Sequence, residues 1–477
     1  MLFDLNKGSW LQNYSSAPEQ LEKMSDVKGL VSAFNANIDA VIKVSGKAIE
    51  NLIASHQLDV SEIMQDGERN IQSPTDAIRG LIHCFKQGIA EEWLISDVSV
   101  FNWLQTNLGY DKLQMGGQGG IVANVMAICG VNPVYVHCAS LPDEQAGLFL
   151  DMDNLMSTDS QGLLKKATQI VRSEDIPLIH WIIEFDVNDE LSIGNETYTC
   201  PKSNRFIATY DPLNFKLHID PSFAKAVSNP NNHLDYVILS GYQMLKEDLG
   251  DGVKGADRIE DSIQIFKDWK SNHPDAIFHL EMASTQDKVM RKYLLDNLAP
   301  SVDSLGFNER ELIDLLEVMG EDELAESCDK NTTSANLFKA MLKVQARTDC
   351  PRLQLHMFGL YLTVQKKGYR ITPKMNRNGM QLAAVIAAAK AGTGAINTKD
   401  VLLWAKEREV SDQGLNELNA LSDEVSSVGS SDNMMDSGIG ETENLDIIAV
   451  PTILIDKPIT LVGMGDTISS ISLVAAN

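Results

Sequence analysis

The chain reads as an α/β protein: a large domain on a central, mostly parallel sheet flanked by helices, joined to a smaller, discontinuous β-sheet lid. Three observations lead there. From Asp235 onward strand-like and helix-like runs alternate, the order that lays strands parallel with helices on both faces. Between Leu178 and Tyr210, β-prone runs follow one another with only Gly/Asn-containing turns between them, which reads as antiparallel pairing. The C-terminus carries two β-branched runs, a Gly463-Met464-Gly465-Asp466 turn and an apolar segment of helical length. The 477 residues suit two or three domains. The expected partition gives 1–37, 61–175 and 213–477 to the large domain, and 38–60 and 176–212 to the lid.

A formal net charge of −26 argues against a nucleic-acid partner, which would need a basic face, and means that any phosphate site must be locally basic or use a metal ion. Hydrophobic content of 44% with 22% charged residues is that of a globular protein. Six cysteines without a C-x-x-C pair suit reduced thiols in a cytosol. The N-terminus lacks a signal pattern, and the most apolar stretch, Gly120 to Leu141, is broken by Asn124, Asn132 and Pro133, so no membrane span is expected.

In order, residues 1–28 carry no motif. Leu30 to Phe34 is a first buried strand running into Asn35-Ala-Asn37-Ile-Asp39. Hydrogen-bonding side chains at a strand end suit a ligand site in an open α/β sheet, with a plain Asn/Asp turn as the alternative. Pro74 to Gln87 has apolar residues at helical spacing. Met115-Gly116-Gly117-Gln118-Gly119-Gly120 permits close backbone approach to a ligand, but lacks the Lys-Ser/Thr of a Walker A loop. Val134 to Cys138 is a buried strand and Ser157 to Gly162 a polar loop. Leu178 to Phe185, Leu191 to Tyr198 and Arg205 to Tyr210 are the lid strands, and His180 by itself reads as a structural histidine.

Glu281 and Glu311 each follow a strand, along one C-terminal sheet edge. Alone, each reads as a helix cap or surface charge. Together they suit Mg²⁺, which keeps several waters and needs few carboxylates beside substrate phosphates. Arg352 to Phe358 is a further strand carrying His356, and Met380 to Ala391 an Ala-rich helix. Ser422 to Glu443 is Ser/Gly/Asp-rich and reads as an exposed loop before Val450-Pro451. In the last turn, Gly463 and Gly465 allow close approach to an anion, and Asp466 can cap the helix or take a proton from a hydroxyl.

The set of motifs resembles the ADP-dependent sugar kinases, the archaeal phosphofructokinases and glucokinases of the ribokinase-like superfamily, from about Asn35 to the C-terminus. The Gly-x-Gly-Asp end is similar to their anion-hole motif. His279-x-Glu281 and Asn308-x-x-Glu311 are similar to their paired metal-associated motifs. The resemblance implies a ribokinase-like, nucleotide-binding large domain with Asp466 as base and Gly463 and Gly465 around the transferring phosphoryl. It implies Mg²⁺ associated with Glu281, Glu311 and Asp466, and a nucleotide near His356, Val450, Gly463, Met464 and Gly465. Sugar contacts fall on Asn35, Asn37, Asp39, Gly116, Gly117, Gln118 and His180, and Arg205 is the lid arginine expected at a phosphate.

The implied reaction moves a phosphoryl group from ADP to fructose 6-phosphate, leaving AMP, in the cytoplasm of a monomer-forming or small homo-oligomeric enzyme; glucokinase or dual activity is the alternative. Lys165, Lys166, Arg172, Lys202 and Arg205 make the lid segment locally basic and rank the sugar phosphate ahead of glucose. Glucokinase members use a further acid in the helix after the first lid segment, where Asp76 is the residue to test. An ATP-dependent ribokinase-type kinase and a non-catalytic sensor are rivals. Glu281 with Glu311 disfavours the first, and an intact Asp466 the second.

Overall fold

The computed structural model describes residues 2–65, 67–250, 252–460 and 462–477, and contains two main sheets. Among the described residues the larger sheet has twelve strands. Seven neighbours run parallel, in the order Arg352–Met357, Ser304–Phe307, Ile277–Glu281, Tyr236–Leu239, Leu30–Ala33, Val134–Val136 and Leu155–Thr158. Antiparallel strands finish both ends, Leu164–Lys166 at one and Leu360–Lys366 followed by Leu445–Pro451 at the other. The middle strands are buried along their length, as a parallel sheet covered on both faces requires.

The smaller sheet runs Asn70–Ile71, Glu91–Ile95, Asn204–Tyr210, Ile179–Phe185, Asn37–Lys43, Lys112–Gly116. It is mixed: 179–185 lies antiparallel to 204–210 but parallel to 37–43. Two sequence expectations are corrected here. Residues 70–116 supply three of its strands, whereas 61–175 had been given to the large domain. Leu191 to Tyr198 does not join this sheet but forms a separate hairpin, Glu190–Ile193 with Glu196–Thr199. The first error comes from pairings between segments distant in sequence, which local propensity does not encode; the second comes from the Gly194-Asn195 turn, which folds 190–199 back on itself.

The chain crosses between the two sheets at Phe34–Ala36, at Gly117, ahead of Ile179 and at Asp211–Asn214. Asn35, Gln118, His180, Asp211 and Asn214, at or beside these crossings, line the junction of the sheets.

Two helices set the C-terminal turn. Pro373–Thr393 starts with Thr372 capping and Pro373 in the first turn, and ends on left-handed Gly394. Its Ala-rich face lies against Met464–Val474. A Cβ on Gly379 would come within 2.4 Å of the Ser472 carbonyl oxygen, so the contact depends on small side chains. The second helix begins after Gly463, whose φ of +60° is the left-handed region that glycine enters without steric cost.

The expected loop at 422–443 is largely helix and strand. Asp412–Val428 is helical because Leu415, Leu418, Leu421 and Val425 bury one stripe, a periodicity that outweighs the Ser/Asp content; Ile439–Thr442 is a strand. The 157–162 segment is likewise partly strand. Among the described residues no helix is long and apolar enough to cross a membrane, and all six cysteines are unpaired and buried.

Candidate active site

At the junction of the sheets lies a cavity of about 190 Å³, lined by Asn35, Asn37, Asp39, Glu92, Gly117, Gln118, His180, Asp211, Asn214, Gln243 and Asp466, among others. Asp39, His180 and Thr209 stand in one row across three strands of the small sheet, so their side chains share a face. Asn37 Nδ2 donates to Asp39 Oδ1 at 2.9 Å. Gly116 pairs with Asn37 across the strands, and a Cβ there would meet Asp39 Oδ1 at 2.1 Å. Burial raises the Asp39 carboxyl, while His180, Asn37 and Gln114 pull it back.

His180 is not the plain core histidine that its apolar strand suggests. Its Nε2 lies 3.1 Å from Asp211 Oδ2, and Glu92 Oε1 is 3.9 Å from Nδ1. Burial opposes its charge, but Asp211, Glu92 and Asp39 outweigh that and push it up to about 9, so the ring is an imidazolium at neutral pH. Asn214 Nδ2 secures Asp211 at 2.8 Å, and Thr209 Oγ1 donates to Glu92 at 2.6 Å. Buried Asn35 Oδ1, Asn37 Oδ1 and Gln243 Oε1 have no protein partner. Three unmatched acceptors around one cavity suit a ligand rich in hydroxyl donors.

Gln118 does not stand clear for a ligand as expected. Its Nε2 donates to Asp466 Oδ1 at 2.8 Å, and its Oε1 accepts from Gly241 N–H at 3.3 Å. Burial raises Asp466, countered by Gln118 and by the charge of Lys390. Gly465 packs beside His356, close enough that a Cβ would meet Nε2 at 2.7 Å. His356 Nδ1 is buried without a hydrogen bond.

On the sheet edge nearby, burial pushes Glu281 up to about 7 and Glu311 well above the carboxylate range, with the Glu281 and Asp466 charges adding to the latter. The donor polarity around Glu281 can be traced. Arg352, fully buried and donor-only, bonds Ser304 Oγ at 2.9 Å. The single Ser304 proton therefore goes to His279 Nδ1, 2.9 Å away. That leaves the neutral ring its Nε2–H, which faces Glu281 Oε2 at 3.1 Å; Ser469 Oγ donates to the same oxygen. Glu311 forms a capping box with Asn308, accepting its N–H at 2.8 Å.

Several of the expected residues lie outside the cavity. Glu281, Glu311 and Asp466 sense one another's charge, but among the described residues no three His, Cys, Asp or Glu side chains gather as a metal cluster. Val450 is wholly buried within the large sheet, opposite Tyr361, with its side chain in the core. Arg205 is exposed and stands four residues along its strand from Thr209, on the same face but outside the cavity. Among the basic residues taken as phosphate partners, Lys165 pairs with Asp159, Lys166 with Asp151 and Asp153, and Arg172 with Asp220, all away from the cavity. Asp76 is also elsewhere, accepting from Ser73 and Arg79 at a helix start.

Glu92, Asp211, Asn214, Gln243 and Lys390 were missed. Asp211 directly follows strand Asn204–Tyr210 and Gln243 lies four residues past Leu239, a usable signal. Glu92 sits in a strand, Glu91–Ile95, that the sequence reading did not place, and Lys390 is the lone charge in an Ala run.

A family model described as "ADP-specific Phosphofructokinase/Glucokinase conserved region" matches residues 28–475. An ADP-dependent glucose/glucosamine kinase of Pyrococcus abyssi is 30% identical over 98% of each chain. The solved structure of the last common ancestor of ADP-dependent phosphofructokinases from Methanosarcinales is 31% identical, covers 98% of both chains and superposes with a TM-score of 0.87. Another solved structure, an ADP-dependent kinase in complex with fructose-6-phosphate and ADPbetaS, is 30% identical over 98% of this chain and 97% of its own, with a TM-score of 0.81. With a mostly parallel α/β sheet, a carboxylate at a Gly-x-Gly turn that opens a helix and a polar cavity beside it, the chain belongs to the ADP-specific phosphofructokinase/glucokinase family and is an ADP-dependent sugar kinase.

Proposed function

We propose that the chain phosphorylates fructose 6-phosphate from ADP, with Asp466 as general base, and accepts glucose in the same cavity. The observation that carries the catalytic reading is Asp466 at the start of a helix, opening onto a cavity whose unmatched acceptors suit sugar hydroxyls. A hydroxyl placed there gives its proton to Asp466 as it attacks. The N–H groups from Gly463 to Asp466, at the positive end of the helix, then meet the charge on the moving phosphoryl. Asp39, Asn35, Asn37 and the His180 imidazolium orient the sugar, and Gln118 orients the base.

Phosphofructokinase activity is supported by the likeness to the Methanosarcinales ancestor, by the fructose-6-phosphate complex of the second structure and by Arg205. The arginine stands on the lid face that carries Asp39 and His180, where closure would bring a guanidinium to a sugar phosphate. Glucose is favoured by Glu92, an acid beside His180 in a cavity lined by no lysine or arginine. Lys43 and Glu184 share Arg205's row, so that end of the lid carries both signs of charge.

The donor set at Glu281 and Glu311, two buried carboxylates raised by burial, with His356 Nδ1 3.7 Å from Glu281 Oε1, fits a hard divalent cation held mainly by substrate phosphates and water. When bound, Mg²⁺ would supply charge neutralisation to the phosphates. A cytoplasmic setting agrees with the unpaired, buried cysteines.

A coupled assay crossing ADP and ATP with fructose 6-phosphate and glucose tests the reading. ADP is expected to support the faster reaction with both sugars, and fructose 6-phosphate to give the higher kcat/KM. A higher value for glucose reverses the acceptor ranking.

A further inference from the structure

Lys390 lies three residues before the end of helix Pro373–Thr393, and no motif covers it. Its Nζ donates to the Gly463 carbonyl at 3.0 Å and to Thr467 Oγ1 at 3.1 Å, while Thr467 Oγ1 donates to the same carbonyl at 2.7 Å. Among the described residues no carboxylate forms an ion pair with it. Burial pulls the ammonium down to about 8, and the charge of Asp466 partly restores it. A lysine commonly carries its ammonium out to water along its flexible stem. Here it is spent on a carbonyl of the turn that precedes Asp466.

The peptide geometry gives that bond a consequence. Gly463 C=O and Met464 N–H belong to one planar, trans unit and point in opposite directions. Holding the carbonyl on the Lys390 side therefore turns the Met464 N–H to the other side, the start of the anion-hole helix. The same carbonyl also accepts the Thr467 N–H at 3.2 Å, the first bond of the helix, so Lys390 adds a second, charged restraint to a turn built on left-handed Gly463.

We propose that Lys390 is a positioning residue for phosphoryl transfer: it clamps the Gly463 carbonyl so that the following N–H groups face the phosphoryl, and it places a positive charge behind the anion hole. Charge fixed before the reaction stabilises the transition state more than the ground state, so its loss falls on kcat. This inference rests on Asp466 and its turn forming the transfer site.

The test uses the whole enzyme with ADP, Mg²⁺ and saturating sugar. Lys390→Met keeps the stem and helix propensity but removes the charge and both bonds. It is expected to melt within a few degrees of the parent, lose kcat by about 100-fold and keep both KM values within about threefold. Lys390→Gln retains donors without charge and is expected to lose about 10-fold in kcat. Lys390→Ala is expected to regain at least fivefold in kcat on addition of propylammonium, a response that a purely structural role would not give. A Met variant within threefold of parental kcat overturns the proposal, as does an Ala variant that propylammonium leaves unchanged. If the Met variant does not fold, the Gln variant decides, and parental kcat in it counts against the role. Asp466→Asn is measured alongside: an active Asn variant rejects the underlying transfer site, whereas an inactive one beside fully active Lys390 variants rejects only the lysine.

Discussion

Gln118 Nε2 donates to Asp466 Oδ1 across 2.8 Å, joining two glycine-rich turns that lie 348 residues apart in sequence. The amide is fixed from its other end, because Gln118 Oε1 accepts the Gly241 N–H. The glutamine that was expected to reach the sugar thus holds a carboxylate of the same cavity. The bond also favours the ionised form of Asp466, against the burial that disfavours it.

Asp466→Asn keeps the size of the side chain and loses its basicity. Turnover should fall by roughly 10²- to 10⁴-fold, with sugar and ADP binding retained. Steady-state kinetics with calorimetric binding checks this, and turnover within twofold of the parent would remove Asp466 from the mechanism.

The acid limb of kcat follows from the same group. A base acts when deprotonated, so activity is present above its pKa and lost as pH falls through it. Burial raises Asp466, which moves that limb up from where an exposed aspartate would put it. Gln118→Leu removes a bond that lowers the pKa, so the limb should move to still higher pH. A pH–kcat profile with an unmoved limb would deny Gln118 this role.

His180 predicts a stability change at alkaline pH. Its folded pKa of about 9 exceeds the ordinary 6.5, so its contribution is complete below about 6.5 and lost as pH rises through about 9. The shift corresponds to on the order of 3 kcal/mol. Urea unfolding of the parent and of His180→Gln at pH 6 and pH 9.5 should show the difference between them shrinking at the higher pH. A constant difference would mean that the imidazolium is not what Asp211 and Glu92 hold.

The parts of the site legible in sequence were those with a local signature. Asp466 follows Gly-x-Gly at the start of a helix, and Asn35, Asn37 and Asp39 cluster where one strand ends and the next begins. The parallel half of the large sheet was legible because strands and helices alternate in sequence. Glu92 and Lys390 were not legible, since the partners of each arrive from distant segments: Thr209 and His180 for one, Gly463 and Thr467 for the other. Val450 marks the reverse limit. A motif position told nothing about which way its side chain points in the folded sheet.

Acceptor choice should divide between Glu92 and Arg205. Fructose 6-phosphate carries about two negative charges, which favour a guanidinium and are repelled by a nearby carboxylate. Glucose offers only hydroxyls, which a carboxylate accepts well. Glu92 is in place already, held by Thr209 beside His180, while Arg205 lies four residues further along the same strand face as Thr209. About 13 Å of strand separates those rows at 3.3 Å per residue, a gap that an arginine side chain and a sugar phosphate could close together. Arg205→Gln should therefore lower kcat/KM for fructose 6-phosphate by about 10- to 100-fold, the value of a charge-assisted bond, and leave glucose within threefold. Glu92→Gln should do the reverse, lowering kcat/KM for glucose by about 10-fold while leaving fructose 6-phosphate unchanged or improved. The two variants measured with both sugars form a crossed design. If Arg205→Gln lowers both sugars equally, the arginine serves the nucleotide or lid closure instead, and the phosphate of the sugar must be met by other cations.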